Sequence, residues 1–385
     1  MRRLTSWVTQ RKPATARPWI VGATVVAVLL GACGGGTTAP ASSAAATKAA
    51  ATTAAATAAP LLSTQAGSIG ATWVKWDKAA CKYQEVAKPG DTWTAVLRMP
   101  STPFTLGFGT QGEGIALLDA LNGAMKATAA KVGVPLAYAN YNTLNSTTDV
   151  ITQAQTIALR KPDAVISFNV LTAQIPAVNA LYGCTPIVQI TAPAPNTVVF
   201  GASSSDVGKT EGQYLADYAK KQNWPAAAVT VLGLQTPSLG ASIGERITLC
   251  QSTVQSLLPG AKVDNLPSVA STTADAQTKV TDWLTAHPND KNVLVCTISD
   301  IYAFGVANAF KGANRAQDGV VVGAGGGTDA ITTIKGGGPY LGSVDFGWGK
   351  YPDYLVPLVQ DILEGKAVPS EIHQKLTVLD KSNVN

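Results

Sequence analysis

Apolar, β-branched runs alternate with helix-patterned stretches along most of this chain, and that order constrains the fold more than any single motif. The strand-like runs are "FTLGFG", "VPLAYA", "DAVISF", "PIVQI", "TVVF", "VTVLGL", "KVDNL", "NVLVCT", "VVVGA" and "YLGSVD". Between and after them lie stretches such as "TDVITQAQTIALR" and "ADAQTKVTDWLTAH", where apolar residues recur at three and four, as at Val280, Trp283 and Leu284. Strand–helix alternation implies parallel sheets covered by helices on both faces. Ten strands exceed one comfortable sheet. The expectation is therefore α/β, with two doubly wound parallel-sheet lobes.

One segment raises the question of a nucleotide. "GASSSDVGKTEGQ", Gly201 to Gln213, follows a strand-like run and opens a helical pattern. A phosphate-cradling loop needs four residues between its first glycine and Gly-Lys-Ser/Thr, because the glycines let backbone N–H groups wrap the phosphates. Here six residues separate Gly201 from Gly208. The segment is better read as a helix start. Asp206 or a nearby serine caps it, Gly208 and Gly212 allow close packing, and Lys209 is solvated. "GAGGGTDA" fails the dinucleotide spacing in the same way, with Thr328 where a glycine is required.

The N-terminus reads as an export signal. Arg2, Arg3, Arg11, Lys12 and Arg17 precede an apolar run, Trp19 to Ala32, that is short for a membrane span. It ends in "LLGAC", which resembles a bacterial lipoprotein box and implies that the signal, residues 1–32, is cut before a lipidated Cys33. Removing it removes five positive charges and no negative ones, so the net charge of +5 falls to zero. The basic balance is then no evidence for nucleic-acid binding. Residues 33–60 form an Ala/Thr-rich tether with too few large apolar groups to build a core. A body held this way faces the outside of the bacterial cell membrane, where ATP is scarce.

The order of elements from about 103 to 376 resembles the type I periplasmic binding proteins, the sugar-binding branch that includes ribose-binding protein. "GVPLAYANYN" with "DVITQAQTIALRKPDAVIS", "GKTEGQYLADYAKK", "GERITLCQ", "VLVCTISDIYAFGVANAFKGA", "VVVGAGGGTDA" and "LGSVDFGWGKYPDYLVPLVQDILEGK" carry the resemblance in the family's order. It implies a three-segment hinge, near 201–204, 343–347 and 365–368. The first lobe would comprise 103–202 and 346–365, and the second 203–345 and 366–385. Residues 61–102 precede the resemblance as an N-terminal extension. Its Trp73, Trp76 and Trp93 are expected to pack it onto the first lobe, with a partner surface as the alternative.

The resemblance also implies a ligand site between the lobes, at the carboxyl ends of the strands. Carried over residue by residue, it comprises Thr110 and Gln111, Phe168 and Asn169, Thr191, Arg246, Ser299 and Asp300, and Asp345 and Phe346. Several positions depart from the sugar binders. Ala116-Leu117 replaces an aromatic pair, Thr191 and Gly325 stand where aspartates grip a sugar, and Phe346 replaces a glutamine. Arg246 is expected to donate to the ligand, with pairing to Asp300 as the alternative. Phe168 and Phe346 would supply apolar faces.

Nothing in the chain suggests a catalytic set, a metal or a cofactor. His287 and His373 are far apart in the implied fold, and no serine or cysteine has a matching base and orienting acid. The expected function is an extracytoplasmic solute-binding lipoprotein, a monomer, delivering a small hydroxylated, sugar-like ligand to an ABC permease. The alternatives are the ligand-binding component of a membrane sensor, or a binder of a less polar solute. Besides Cys33 the exported chain keeps Cys81, Cys184, Cys250 and Cys296, an even number that suggests disulfides. In the implied fold Cys81 and Cys184 both lie at the base of the first lobe, and Cys250 and Cys296 both lie in the second. The expected pairs are Cys81–Cys184 and Cys250–Cys296; free core thiols at the latter two stay open.

Overall fold

All ten strand-like runs become strands in a computed structural model, which describes residues 60–384 apart from 144, 145, 147 and 268–271. The signal, Cys33 and the tether to residue 59 lie outside the described residues. Five short strands come first, in the extension: β1 (Leu62–Gln65), β2 (Ser68–Ile69), β3 (Trp73–Asp77), β4 (Lys82–Val86) and β5 (Thr94–Leu97). The first lobe follows with β6 (Leu106–Thr110), α1 (Ala116–Lys131), β7 (Leu136–Asn140), α2 (Asp149–Ala158), β8 (Ala164–Ser167), α3 (Ile175–Ala180), β9 (Ile187–Ile190) and β10 (Val198–Gly201). The second lobe runs through α4 (Ser204–Lys221), β11 (Thr230–Gln235), α5 (Ala241–Leu257), β12 (Lys262–Pro267), α6 (Thr273–Ala286), β13 (Val293–Cys296), α7 (Asp300–Gly312), β14 (Gly319–Gly325), α8 (Thr328–Gly336) and β15 (Tyr340–Asp345). The chain then returns through α9 (Pro352–Leu363), β16 (Val368–Pro369), β17 (Glu371–His373) and β18 (Thr377–Asp380).

Two sheets carry the lobes. The first has the order β2-β17-β10-β9-β8-β6-β7 and the second β12-β11-β13-β14-β15-β18. Both are parallel except at one edge, where β2 runs antiparallel to β17 and β18 antiparallel to β15. The central strands β8, β9, β10, β13 and β14 are buried along their whole length. That two-sided burial is why they read as unbroken apolar runs rather than alternating ones.

The tail departs from the expected layout. The resemblance implies that residues 366–385 belong to the second lobe throughout, with a third crossing near 365–368. Instead Val368 and Pro369 pair with β3, and Glu371–His373 lies parallel to β10 in the first sheet, with Phe200 opposite Ile372. Only β18 joins the second sheet, so the third crossing falls between His373 and Thr377. The physical reason is an open edge. β10 would otherwise end the first sheet, and β17 and then β2 satisfy its backbone groups and cover it. Helix α8 was not anticipated; its Thr and Ile residues lower helix propensity, and glycines follow it directly.

The segment that opened the nucleotide question is the start of α4. Ser203 caps it, accepting from the Asp206 N–H at 3.1 Å, and Lys209 is exposed. Gly208 and Gly212 face α5. A Cβ at Gly208 would lie 2.4 Å from the Arg246 carbonyl oxygen, and one at Gly212 2.5 Å from that of Cys250. Only glycine lets the two helices approach this far.

The extension is welded to the first lobe. Trp73, Trp76 and Trp93 are all buried. Aromatic side chains bury about 150–250 Å² each, and at about 25 cal/mol per Å² three indoles outweigh the polar contacts nearby. Among those contacts, Arg98 bridges Asp361 on α9 at 2.9 Å and Glu364, just after it, at 2.8 Å. Cys81 is bonded to Cys184, with Cα atoms 4.8 Å apart, and Cys250 to Cys296, with Cα atoms 6.0 Å apart. The first bridge closes a loop of 103 residues. Replacing both Cys81 and Cys184 by serine should cost about 2–5 kcal/mol and make the 61–102 segment sensitive to protease. Urea unfolding and limited proteolysis check this; an unchanged midpoint and cleavage pattern would show that the bridge holds nothing.

Candidate ligand-binding site

A cavity of about 100 Å³ lies between the lobes, at the carboxyl ends of both sheets. The first lobe lines it with Gln111, Ile115, Leu117, Leu118, Phe168, Val170 and Thr191. The second supplies Leu239, Ile243, Arg246, Ile298, Ser299, Ile301, Tyr302 and Ala324. Phe346 and Trp348, on the second crossing, complete the wall. Parallel strands end together on one side of each sheet, so the loops that follow them converge here. The lobes also touch at the rim. A Cβ built on Gly327 would lie 3.4 Å from Leu117 Cβ, and one on Gly240 2.8 Å from Thr172 Oγ1.

Arg246 is the one charged group in the lining, and it is only 5% exposed. Its Nε donates to Ser204 Oγ at 3.3 Å and its Nη1 to the Ile298 carbonyl at 2.8 Å. The guanidinium sits 5.1 Å from the centre of the Phe346 ring, a cation–π contact worth about 0.5–2 kcal/mol. Phe346 and Phe168 each lie 5.5 Å from Trp348, which stacks on Tyr351 at 4.9 Å. One aromatic row thus runs from the guanidinium along the cavity wall.

Behind Arg246 lies Glu211, fully buried on α4. Neither carboxyl oxygen has a full hydrogen bond, and burial pushes the carboxyl well above its ordinary value, against the pull of the Arg246 charge. Asp300 is also buried and also raised by burial. Its Oδ1 accepts from Tyr340 Oη at 2.7 Å and Ser343 Oγ at 2.6 Å, and its Oδ2 from the Gly326 N–H at 2.9 Å. Thr191 has φ of 68°, the left-handed region. For a β-branched residue that conformation is an outlier, costing about 1–3 kcal/mol and typical of ligand-contacting positions. Its N–H donates to the Phe200 carbonyl at 2.9 Å, which holds it in place.

A family model described as a periplasmic binding protein domain matches residues 107–367. This chain belongs to that family. No curated protein matches it by sequence. Among solved structures it resembles an ABC transporter solute-binding protein from Agrobacterium vitis with bound allitol, at 18% identity and a TM-score of 0.62, over 74% of this chain and 97% of that one. A second, from Actinobacillus succinogenes 130z with bound D-allose, has 21% identity and a TM-score of 0.63, over 74% and 99%. A third is the fructose-binding periplasmic domain of a hybrid two-component system, at 19% identity and a TM-score of 0.63, over 73% and 93%.

Within this periplasmic binding protein fold, the cavity gathers Gln111, Phe168, Thr191, Arg246, Ser299 and Phe346 of the residues expected from the sequence. Four others do not line it. Thr110 is fully buried, its Oγ1 turned to the Gly112 carbonyl at 3.5 Å. Asn169 is fully buried and shapes its own loop, with Oδ1 accepting from the Leu171 N–H at 2.9 Å. Asp300 holds the glycine loop after β14, and it makes no ion pair with Arg246. Asp345 accepts from the Gly347 N–H at 2.7 Å and turns the second crossing. Sequence reasoning missed Ile243 and Tyr302, which look like ordinary core. The available signal was spacing: Ile243 precedes Arg246 by three positions on α5 and so shares its face.

The raised carboxyl of Glu211 has a consequence for stability. An unfolded chain releases this proton near the ordinary value of 4.5, whereas the folded chain keeps it to higher pH. Above that pH the unfolded state binds fewer protons, so stability falls as pH rises, until the folded carboxyl also ionises. The groups facing it, Arg246, Asp300 and Tyr340, set where that happens. Glu211→Gln has no proton to release. It should match the wild type near pH 4.5 and exceed its melting temperature at pH 8. A variant less stable than the wild type at pH 8 would show instead that Glu211 is ionised against Arg246.

Proposed function

We propose that this chain is the extracytoplasmic solute-binding subunit of an ATP-driven importer, and that its solute binds in the interlobe cavity. The observation that carries the reading is the cavity itself: both lobes and the second crossing line one space, with a buried guanidinium facing it. A solute touching both lobes favours the closed form, because only that form makes every contact. Family membership and the ABC solute-binding relatives support transport. Two of those relatives hold allitol and D-allose, so relatedness alone points to a small, hydroxylated solute, before this chain's own lining is weighed. The two-component relative favours a second reading, in which ligand occupancy is passed to a membrane sensor. A permease and ATPase encoded beside this chain would favour transport, and a sensor kinase the alternative.

Screening the full chain by thermal shift against sugars, polyols and organic acids tests the site. A solute that binds only the native state at a hundred times its Kd stabilises it by about 2.7 kcal/mol. Arg246→Ala should weaken the effective solute at least tenfold while the variant still folds. A shift that survives intact in folded Arg246→Ala would place the solute elsewhere.

Cys33, lipidated after removal of residues 1–32, would anchor the protein, with residues 33–60 as tether. Cys33→Ala should leave the precursor uncut or release the protein from membranes, as read by fractionation and intact mass. Processing and partitioning identical to the wild type would contradict the anchor without touching the cavity.

A further inference from the structure

The cavity is lined in a way that fits a sugar poorly. Sugar hydroxyls are donors that need strong acceptors, yet no Asp or Glu lines this space. The two acids nearest by sequence are committed elsewhere, Asp300 to Tyr340, Ser343 and the Gly326 N–H, and Asp345 to the Gly347 N–H. The walls are mostly carbon, including Ile115, Leu118, Phe168, Ile243, Ile298 and Phe346.

Against these walls stands one cation. Among the described residues Arg246 makes no ion pair and its Nη2 has no hydrogen-bond partner, whereas Nε and Nη1 are both used. A charge this deeply buried is costly unless a counter-charge meets it. Neither carboxyl oxygen of Glu211 makes a hydrogen bond to the guanidinium, which leaves that charge for another partner. A carboxylate is the acceptor whose geometry suits a guanidinium best. Next to that point runs the row of Phe346, Trp348 and Phe168, with Phe168 and Trp348 within 26° of parallel. The volume of about 100 Å³ limits the solute to a small one, since an apolar cavity of about 150 Å³ holds a single benzene.

Building on the interlobe cavity as the solute site, we propose that its solute is a small monocyclic carboxylate, aromatic or alicyclic, with the carboxylate on Arg246 and the ring against Phe168, Phe346 and Ile243. The apolar lining excludes water from the ion pair, and the missing acidic residues remove the groups that would repel an anion.

Isothermal titration of the full chain at neutral pH decides the matter, with benzoate, cyclohexanecarboxylate, benzamide, D-ribose and D-allose as probes. At least one carboxylate should bind, with benzamide at least tenfold weaker than benzoate and both sugars weaker still. Arg246→Met should lose at least tenfold for the carboxylates, and Arg246→Lys should recover part of it; circular dichroism checks that each is folded. If a sugar binds more tightly than both carboxylates and depends on Arg246, the solute class proposed here is wrong and the cavity reading stands. Benzamide equal to benzoate, or no binding by either carboxylate, also overturns it. Carboxylate binding undiminished in both folded variants would overturn it and put the solute outside the cavity, so that both readings fail.

Discussion

A buried guanidinium must be given partners, and much of this molecule's interior is arranged around the one at Arg246. Moving an isolated charge out of water costs several kcal/mol even after relaxation. The protein offsets that with a hydroxyl from α4, a carbonyl from the loop after β13, and the ring of Phe346 on the second crossing. Each partner comes from a different part of the chain. Ser204 can reach because α4 lies so close to α5, and that approach depends on the missing side chains at Gly208 and Gly212. A segment that looks like a failed phosphate loop therefore has a structural purpose: it brings a helix near enough to hold an arginine.

The same side chain ties the pocket to the hinge. Phe346 belongs to the second crossing between lobes, directly after Asp345, whose carboxylate caps the turn at Gly347. A group bound on Arg246 would also lie beside the second crossing between the lobes. At the rim the lobes meet where Leu117 faces Gly327 and Thr172 faces Gly240. Thr191, strained in the left-handed region, sits at the end of β9 beside the first crossing. Strain persists only where the surroundings over-determine a conformation, and here the Phe200 carbonyl and the adjacent Gly201 do so.

The two-lobed fold was legible because parallel strands buried on both faces leave continuous apolar runs, and all ten were visible. The tail was not, because a three-residue strand such as Glu371–His373 has no periodicity of its own; its place follows from the open edge of β10. Arg246 could be found from its position in a family pattern. The carbon lining could not, because Ile243, Ile298 and Tyr302 carry the same signal as core residues and are distinguished only by facing a cavity. Asp300 misled for a related reason. An acid at a strand end resembles a ligand group, and only the three-dimensional placement of Tyr340, Ser343 and Gly326 shows its carboxylate already satisfied.

Solute is expected between the lobes, with a polar group on Arg246. A crystal structure of the chain grown with the solute that most raises its melting temperature tests this most directly. Density is expected inside the cavity, with an oxygen within hydrogen-bonding distance of Arg246 Nη2, apolar atoms on Phe168 and Phe346, and the lobes closed at Leu117 and Gly327. Density at any other surface, or solute held by one lobe alone with Arg246 untouched, would contradict it.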